Sequence, residues 1–281
     1  MALPLPCWSV SLSEPTHRYL SPVRCSRSGP RKKQVKRGPL PRAAQPAITT
    51  LTKEEQFTFS CHKGVSCFTE CCRMLDLILT PYDLLRLRRS TGKTSSELLK
   101  DYVIAEQDEG EAFPRFYLSM VDDGRASCVF VSPEGCTVYR DRPGACRAYP
   151  LGRGVQCGQR GRLQEHFVLL RESHCQGFLE PIRQDIEGYT KAQGLEEYNA
   201  FNDKMAAILQ HKRIRNGFIP SKKQIALFTL ALYDLDAFRD FLQTGGAATE
   251  ETTIDQRIFS DDERLLEFAI RWIEQHLYQG L

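Results

Sequence analysis

The chain lacks any long apolar run. Its opening stretch, MALPLPCWSVSLSEPTHRYL, holds nothing the length of a signal-peptide core. The longest apolar segment, IALFTLALY at 225–233, is interrupted by Thr229 and is too short to cross a bilayer. A secreted disulfide framework and a membrane span are therefore not expected, and a soluble, cytoplasmic protein is, where thiols stay reduced and bind metal. Other absences narrow the chemistry. There is no C-x2-C knuckle of the zinc-ribbon kind, no Ser-His-Asp or paired-carboxylate constellation, and no sequence repeat. GRGVQCGQRGR at 152–162 is glycine-rich but lacks the strand–loop–helix context of a nucleotide loop. The six histidines are scattered, and only His62 and His174 adjoin cysteines.

Acid is nearly missing from residues 1–50, which carry Glu14 alone against nine Lys and Arg, and also hold eight of the 15 prolines. The arm is net +8 while the whole chain is +3, so the basic balance does not belong to the rest. A segment of this kind cannot bury enough apolar surface to order itself, and it reads as a disordered arm. RKKQVKRGPLPR also has the look of a nucleic-acid patch, a targeting segment or an over-extended reading frame. Cys7 and Cys25 lie in this arm and are poor ligand candidates.

Cysteine, by contrast, is abundant and clustered. Of 11 cysteines, Cys61, Cys67, Cys71 and Cys72 fall in CHKGVSCFTECC, while Cys128, Cys136 and Cys146 form a second group, Cys157 and Cys175 trail behind, and none follows. Clustered sulfur beside sulfur-free sequence favours a local site over a stapled framework. Thiolates suit zinc or iron, and four fill a tetrahedral site or hold an iron–sulfur cluster. The gaps are irregular, C-x5-C-x3-C-C and then C-x7-C-x9-C, which favours a cluster or a pair of metal sites over a zinc finger. Cys61, Cys67, Cys71, Cys72, Cys128, Cys136, Cys146 and Cys175 are the candidate ligands, enough for two four-sulfur sites. Some of them could equally be small buried hydrophobes. In CTVYRDRPGACRAYP, Arg140, Arg142 and Arg147 flank Cys136 and Cys146 and would offset thiolate charge, or else lie on a solvated loop. Tyr139 and Tyr149 are placed to shield sulfur from water.

CHKGVSCFTECC, LTPYDLLRLRRSTG and CVFVSPEGCTVYRDRPGACRAYPL together resemble the YkgJ-type cysteine-cluster family, the CxxCxxCC or zinc- or iron-chelating domain, over about residues 57–180. One departure is the first gap, which is C-x5-C here and C-x2-C in the family. The resemblance implies metal binding, as an iron–sulfur cluster (4Fe-4S favoured) or as zinc or iron ions. Flagellin lysine N-methylases look like relatives, so an iron–sulfur-dependent enzyme is the alternative to a structural, electron-transfer or metal-handling protein. No membrane or nucleic-acid partner is expected.

The local patterns predict an α+β fold: a compact cysteine-rich domain with short strands at 51–180, followed by a helical region at 181–281 packed on it. Thr80, Pro81 and Asp83 predict a capped helix start closed by Gly92, and Thr94 or Ser95 a second start. RFYLSM, ASCVFVS and HFVLLRE read as strands, with Cys157 in a flexible glycine-rich loop between the last two. PIRQDIEGYTKAQG, LEEYNAFNDKMAAILQHKRIR, PSKKQIALFTLALYDLDAFRDFLQ and SDDERLLEFAIRWIEQHLY read as helices, the last two opened by Ser221-x-x-Gln224 and Ser260-x-x-Glu263 capping boxes.

Overall fold

The computed structural model describes residues 47–158, 162–245 and 255–278. Strands here are short and helices long, the mixed α+β architecture expected. The largest sheet is antiparallel in the order β1 (Ala47–Leu51), β10 (Leu163–Arg171), β9 (Leu151–Cys157). Val168 faces Gly152 on one side and Thr50 on the other. Strand β1 begins inside the stretch read as a disordered arm, because its backbone completes the edge of this sheet. Residues 1–46, with Cys7 and Cys25, lie outside the described residues.

The other sheets are two-stranded: β2 (Phe57–Thr58) with β11 (Arg183–Gln184), β3 (Val103–Glu106) with β4 (Arg115–Leu118), β5 (Met120–Val121) with β6 (Ser127–Cys128), and β7 (Val131–Ser132) with β8 (Gly135–Cys136). ASCVFVS is therefore not one strand but two, β6 and β7, each turning to its own partner.

Helix α1 (Pro81–Thr91) starts as its sequence dictates. The Thr80 side chain accepts from the Asp83 amide, the Asp83 carboxylate accepts from the Thr80 amide, and Gly92 closes the end at φ 68°. Helix α2 (Ser95–Tyr102) has the same box from Thr94 and Glu97. Helix α4 (Ile186–Ala192) starts five residues later than the Pro181 of its predicted segment, since Arg183–Gln184 pairs as β11 and Asp185 supplies the N-cap. Two long predicted helices are broken in two. Helix α5 (Glu196–Leu209) gives way to α6 (Lys212–Arg215), and α7 (Lys222–Tyr233) to α8 (Leu235–Gln243), where Asp234 caps the second piece. The Ser221 box holds. The Ser260 box does not: Asp261 Oδ1 accepts from the Glu263 and Arg264 amides at the start of α9 (Asp262–Tyr278), while Ser260 donates back to the Arg257 carbonyl.

Two apolar cores organise these elements. The larger joins α1, α2, β4 and the residues around Phe130 and Val138 to α5, α7, α8 and α9, with Leu79, Leu232, Leu265, Leu266 and Ile273 fully enclosed. The cysteine-bearing half and the helical half thus share one core. The smaller holds Phe57, Phe59, Leu151, Phe167, Leu169, Ile186 and Tyr189. Among the described residues no helix is long and apolar enough to cross a membrane.

Candidate metal centre

The cysteines sit where the two cores meet irregular backbone. Cys128 and Cys136 pack against the larger core, and Cys175 against the smaller. All nine described cysteines are free thiols.

Three stretches bring the first group together. The Phe59 amide donates to the Ile182 carbonyl and the Ser60 amide to the Gly177 carbonyl, both at 3.0 Å, which lays Cys61 beside the Cys175 turn. This approach needs a glycine at 177, since a Cβ there would lie 2.7 Å from the Phe59 ring and the Ser60 carbonyl. The Gln176 amide then donates to Cys67 Sγ at 3.2 Å. Burial, with the Cys71, Cys67 and Cys175 thiols beside it, pushes the Cys61 thiol up to about 11. Cys71 is pushed higher by its hydrogen bond to Cys72 and by burial.

The second group is positioned by pairing and capping. The chain after Cys72 runs against β4 and β6: Met74 donates to Ala126, Leu118 to Leu77 and Leu79 to Phe116, with a bridge between Arg73 and Ser127. The Arg73–Ser127 bridge brings the chain that follows Cys72 against the chain that precedes Cys128. The turn before Cys128 is held by Asp123, which accepts from the Arg125 and Ser127 amides and whose carboxyl is held down to about 2 by the Ser127 hydroxyl and these amides. Cys136 follows the β7–β8 turn. Cys146 rides on the short helix α3 (Gly144–Ala148), and the first amide of that helix donates to Asp83 Oδ1 at 2.6 Å. The carboxylate that caps α1 therefore also anchors α3, and it is almost completely enclosed. Cys146 keeps accessible surface, yet burial is the first cause that drives its thiol upward, followed by Cys128, Asp83, Cys136 and Cys71.

Three residues in this region hold a left-handed backbone without being glycine: Thr69 at φ 69°, Met74 at φ 51° and Ala126 at φ 47°. They flank Cys71, Cys72 and Cys128, and no other described non-glycine residue adopts such a backbone. Strain of this kind costs about 1–3 kcal/mol per residue and gathers at functional sites.

The arginines divide their labour. Arg142 is the one that favours thiolate, lowering Cys136 and Cys61 against the upward push of burial. Arg147 is buried and instead ties the loop, donating to the Arg142, Arg140 and Gln193 carbonyls with its guanidinium over the Tyr198 ring. The Tyr149 hydroxyl is buried with no hydrogen-bond partner among the described residues and lies near the Cys175 sulfur. Tyr139 does not meet the shielding expectation, being exposed with Arg142 stacked on it. Glu172 lies against both Cys71 and Tyr149, a carboxylate that no spacing pattern marked. The second role of Asp83 and the part of Tyr198, which donates to the Arg142 carbonyl, were equally invisible in the sequence.

Cys157 stands apart and is not in a flexible loop. It ends β9, where its amide donates to Gln210 and its thiol to the Ala206 carbonyl. His62 also has both ring nitrogens engaged, with Nε2 3.1 Å from Glu180 and Nδ1 accepting from the Gly64 amide. His174 lies 3.6 Å from Glu172.

Residues 60–176 match a domain family described as "CxxCxxCC: Putative zinc- or iron-chelating domain". No curated protein and no solved structure matches the chain. The donor set fits such a domain in kind, soft thiols gathered from separated segments. Among the described residues no three His, Cys, Asp or Glu side chains are drawn close enough to form a metal-holding group as they stand.

Proposed function

We propose that the chain is a thiolate metal-binding protein with two adjoining sulfur sites, the first of which holds an iron–sulfur cluster. Cys61, Cys67, Cys71 and Cys175 make the first set. Cys128, Cys136 and Cys146, completed by Cys72, make the second. One observation supports this reading: the Cys67, Cys71 and Cys175 thiols lie near Cys61, and the Cys128, Cys136 and Cys71 thiols lie near Cys146, with Cys71 hydrogen-bonded to Cys72, while Cys157 is bound elsewhere. The all-sulfur donor set, the irregular spacing and the engaged His62 nitrogens favour iron–sulfur over zinc. The exposure of Cys61 favours a role in electron transfer or metal handling over a sealed structural site.

A metal would draw the sulfurs inward by side-chain rotation, so that its binding energy becomes folding energy for the loops that carry them. Protein purified without oxygen and assayed for iron, acid-labile sulfide and zinc per chain, with its visible spectrum, tests the proposal. Iron and sulfide with thiolate-to-iron absorption are expected. A colourless protein with stoichiometric zinc removes the cluster and leaves the thiolate sites. A chain that holds neither metal after anaerobic reconstitution removes the chelating function.

A further inference from the structure

Away from the thiols, a groove of about 650 Å³ opens between the loop at 107–115 and the turn that follows α6. Its floor is Met205 of α5 with Phe228 and Tyr233 of α7. Three large aliphatic side chains at its edge are left in water: Ile78 at 45 %, Leu209 at 46 % and Ile219 at 80 % exposure. Apolar side chains gathered around a concavity mark a contact surface more than a solvated one.

The two lips carry opposite charge. On one, Asp108, Glu109 and Glu111 are exposed, with Arg115 the cation paired to Asp108 and Glu111. On the other, Lys212, Arg213, Arg215 and Lys222 are exposed, and among the described residues none of them has a carboxylate within ion-pairing distance. An anionic amphiphile would be drawn to the second lip and repelled by the first, and an acidic peptide likewise. A surface that holds a projecting apolar side chain, a hollow to receive one, and both signs of charge is complementary to itself under a two-fold rotation.

We propose that this groove is the contact surface of a symmetric dimer, in which Ile219 of each copy enters the groove of the other and the basic lip of one meets the acidic lip of its partner. The proposal is independent of what the thiols hold. Sedimentation velocity of the full chain over a range of concentrations tests it. A dimer that grows with concentration and weakens as salt screens the lips is expected. Ile219→Asp is expected to leave a monomer with unchanged thermal midpoint and unchanged metal per chain, since that side chain stands largely in water.

The charges give a second, sharper test. Lys212→Glu with Arg215→Glu, and separately Asp108→Lys with Glu109→Lys, are each expected to raise the dimer dissociation constant by about tenfold or more. Mixing the two variants is expected to restore association as a heterodimer. A monomer at every concentration overturns the proposal, as does a dimer indifferent to Ile219→Asp and to both reversals. Lost association without recovery on mixing also overturns the paired-lip geometry.

Discussion

The thiol-bearing loops and the C-terminal helices are stabilised by different means. Helices α7 and α9 present whole apolar faces, and Leu232, Leu265, Leu266, Ala269 and Ile273 have no accessible surface. The loops at 60–76, 126–146 and 172–184 hold two-residue strands, single turns and left-handed Thr69, Met74 and Ala126. Few large side chains there are buried. A helix needs only its apolar stripe to be stable in place, whereas loops of this kind need cross-links. On the proposed reading the cross-links are the eight thiols, so the region that carries the chemistry would also be the one that depends on it.

The largest expected effect separates the two regions directly. Cys146→Ser is expected to remove one whole sulfur site, with lower metal per chain and a lower thermal midpoint, while Cys157→Ser leaves metal content unchanged. Hydrogen exchange on chelated protein is expected to show the loops at 60–76 and 126–146 losing protection while α7 and α9 keep theirs. Equal loss in both regions would break the comparison.

Next is the link between them. Asp83 joins α1, which packs in the shared core, to the first amide of α3. Asp83→Ala leaves part-buried amides at both without their acceptor and is expected to cost about 1–3 kcal/mol in denaturant unfolding. It should also lower metal per chain, because α3 carries Cys146. A loss of stability with full metal would mean that α3 is positioned by other contacts.

The helical side has its own electrostatic latch. Burial would raise Asp236, but Arg88, the Ser95 amide and Arg239 outweigh it and hold its carboxyl down to about 2. A folded value below the ordinary 3.8 means that this stabilisation is full above that pH and is lost as pH falls towards 2. It amounts to about 2 kcal/mol. The difference in unfolding free energy between the native chain and Asp236→Asn should shrink over that interval, and a difference flat with pH would exclude the latch.

The smallest effect has the opposite sign. Ala126→Gly relieves the left-handed backbone before Cys128 and is expected to stabilise by up to about 1 kcal/mol. A destabilised variant, read by thermal unfolding, would show that the Ala126 methyl packs well enough to offset its strain.

How much of this was legible in advance depends on range. Helix starts at Thr80, Thr94 and Ser221 were readable because a capping box is closed by side chains three residues apart. The breaks at Gln210 and Asp234 were not, because apolar periodicity runs through them and only packing decides where a helix turns. The Ser260 cap failed for a related reason, since Asp261 offered a competing acceptor one residue on.

By itself the sequence determined the residue chemistry: which segments carry thiols, which carry apolar stripes, and which short patterns start a helix. Tertiary structure alone decided which of these segments meet. The Cys61 segment meets the Cys175 turn because Gly177 admits the Ser60 backbone, and the chain after Cys72 meets β6 because Arg73 bridges Ser127. It also turned Asp83 from a local cap into an anchor for α3, and took Cys157 out of the group by ending β9 against α5. Each of these depends on residues tens of positions apart meeting through space, and that is set by which surfaces the whole chain can bury at once.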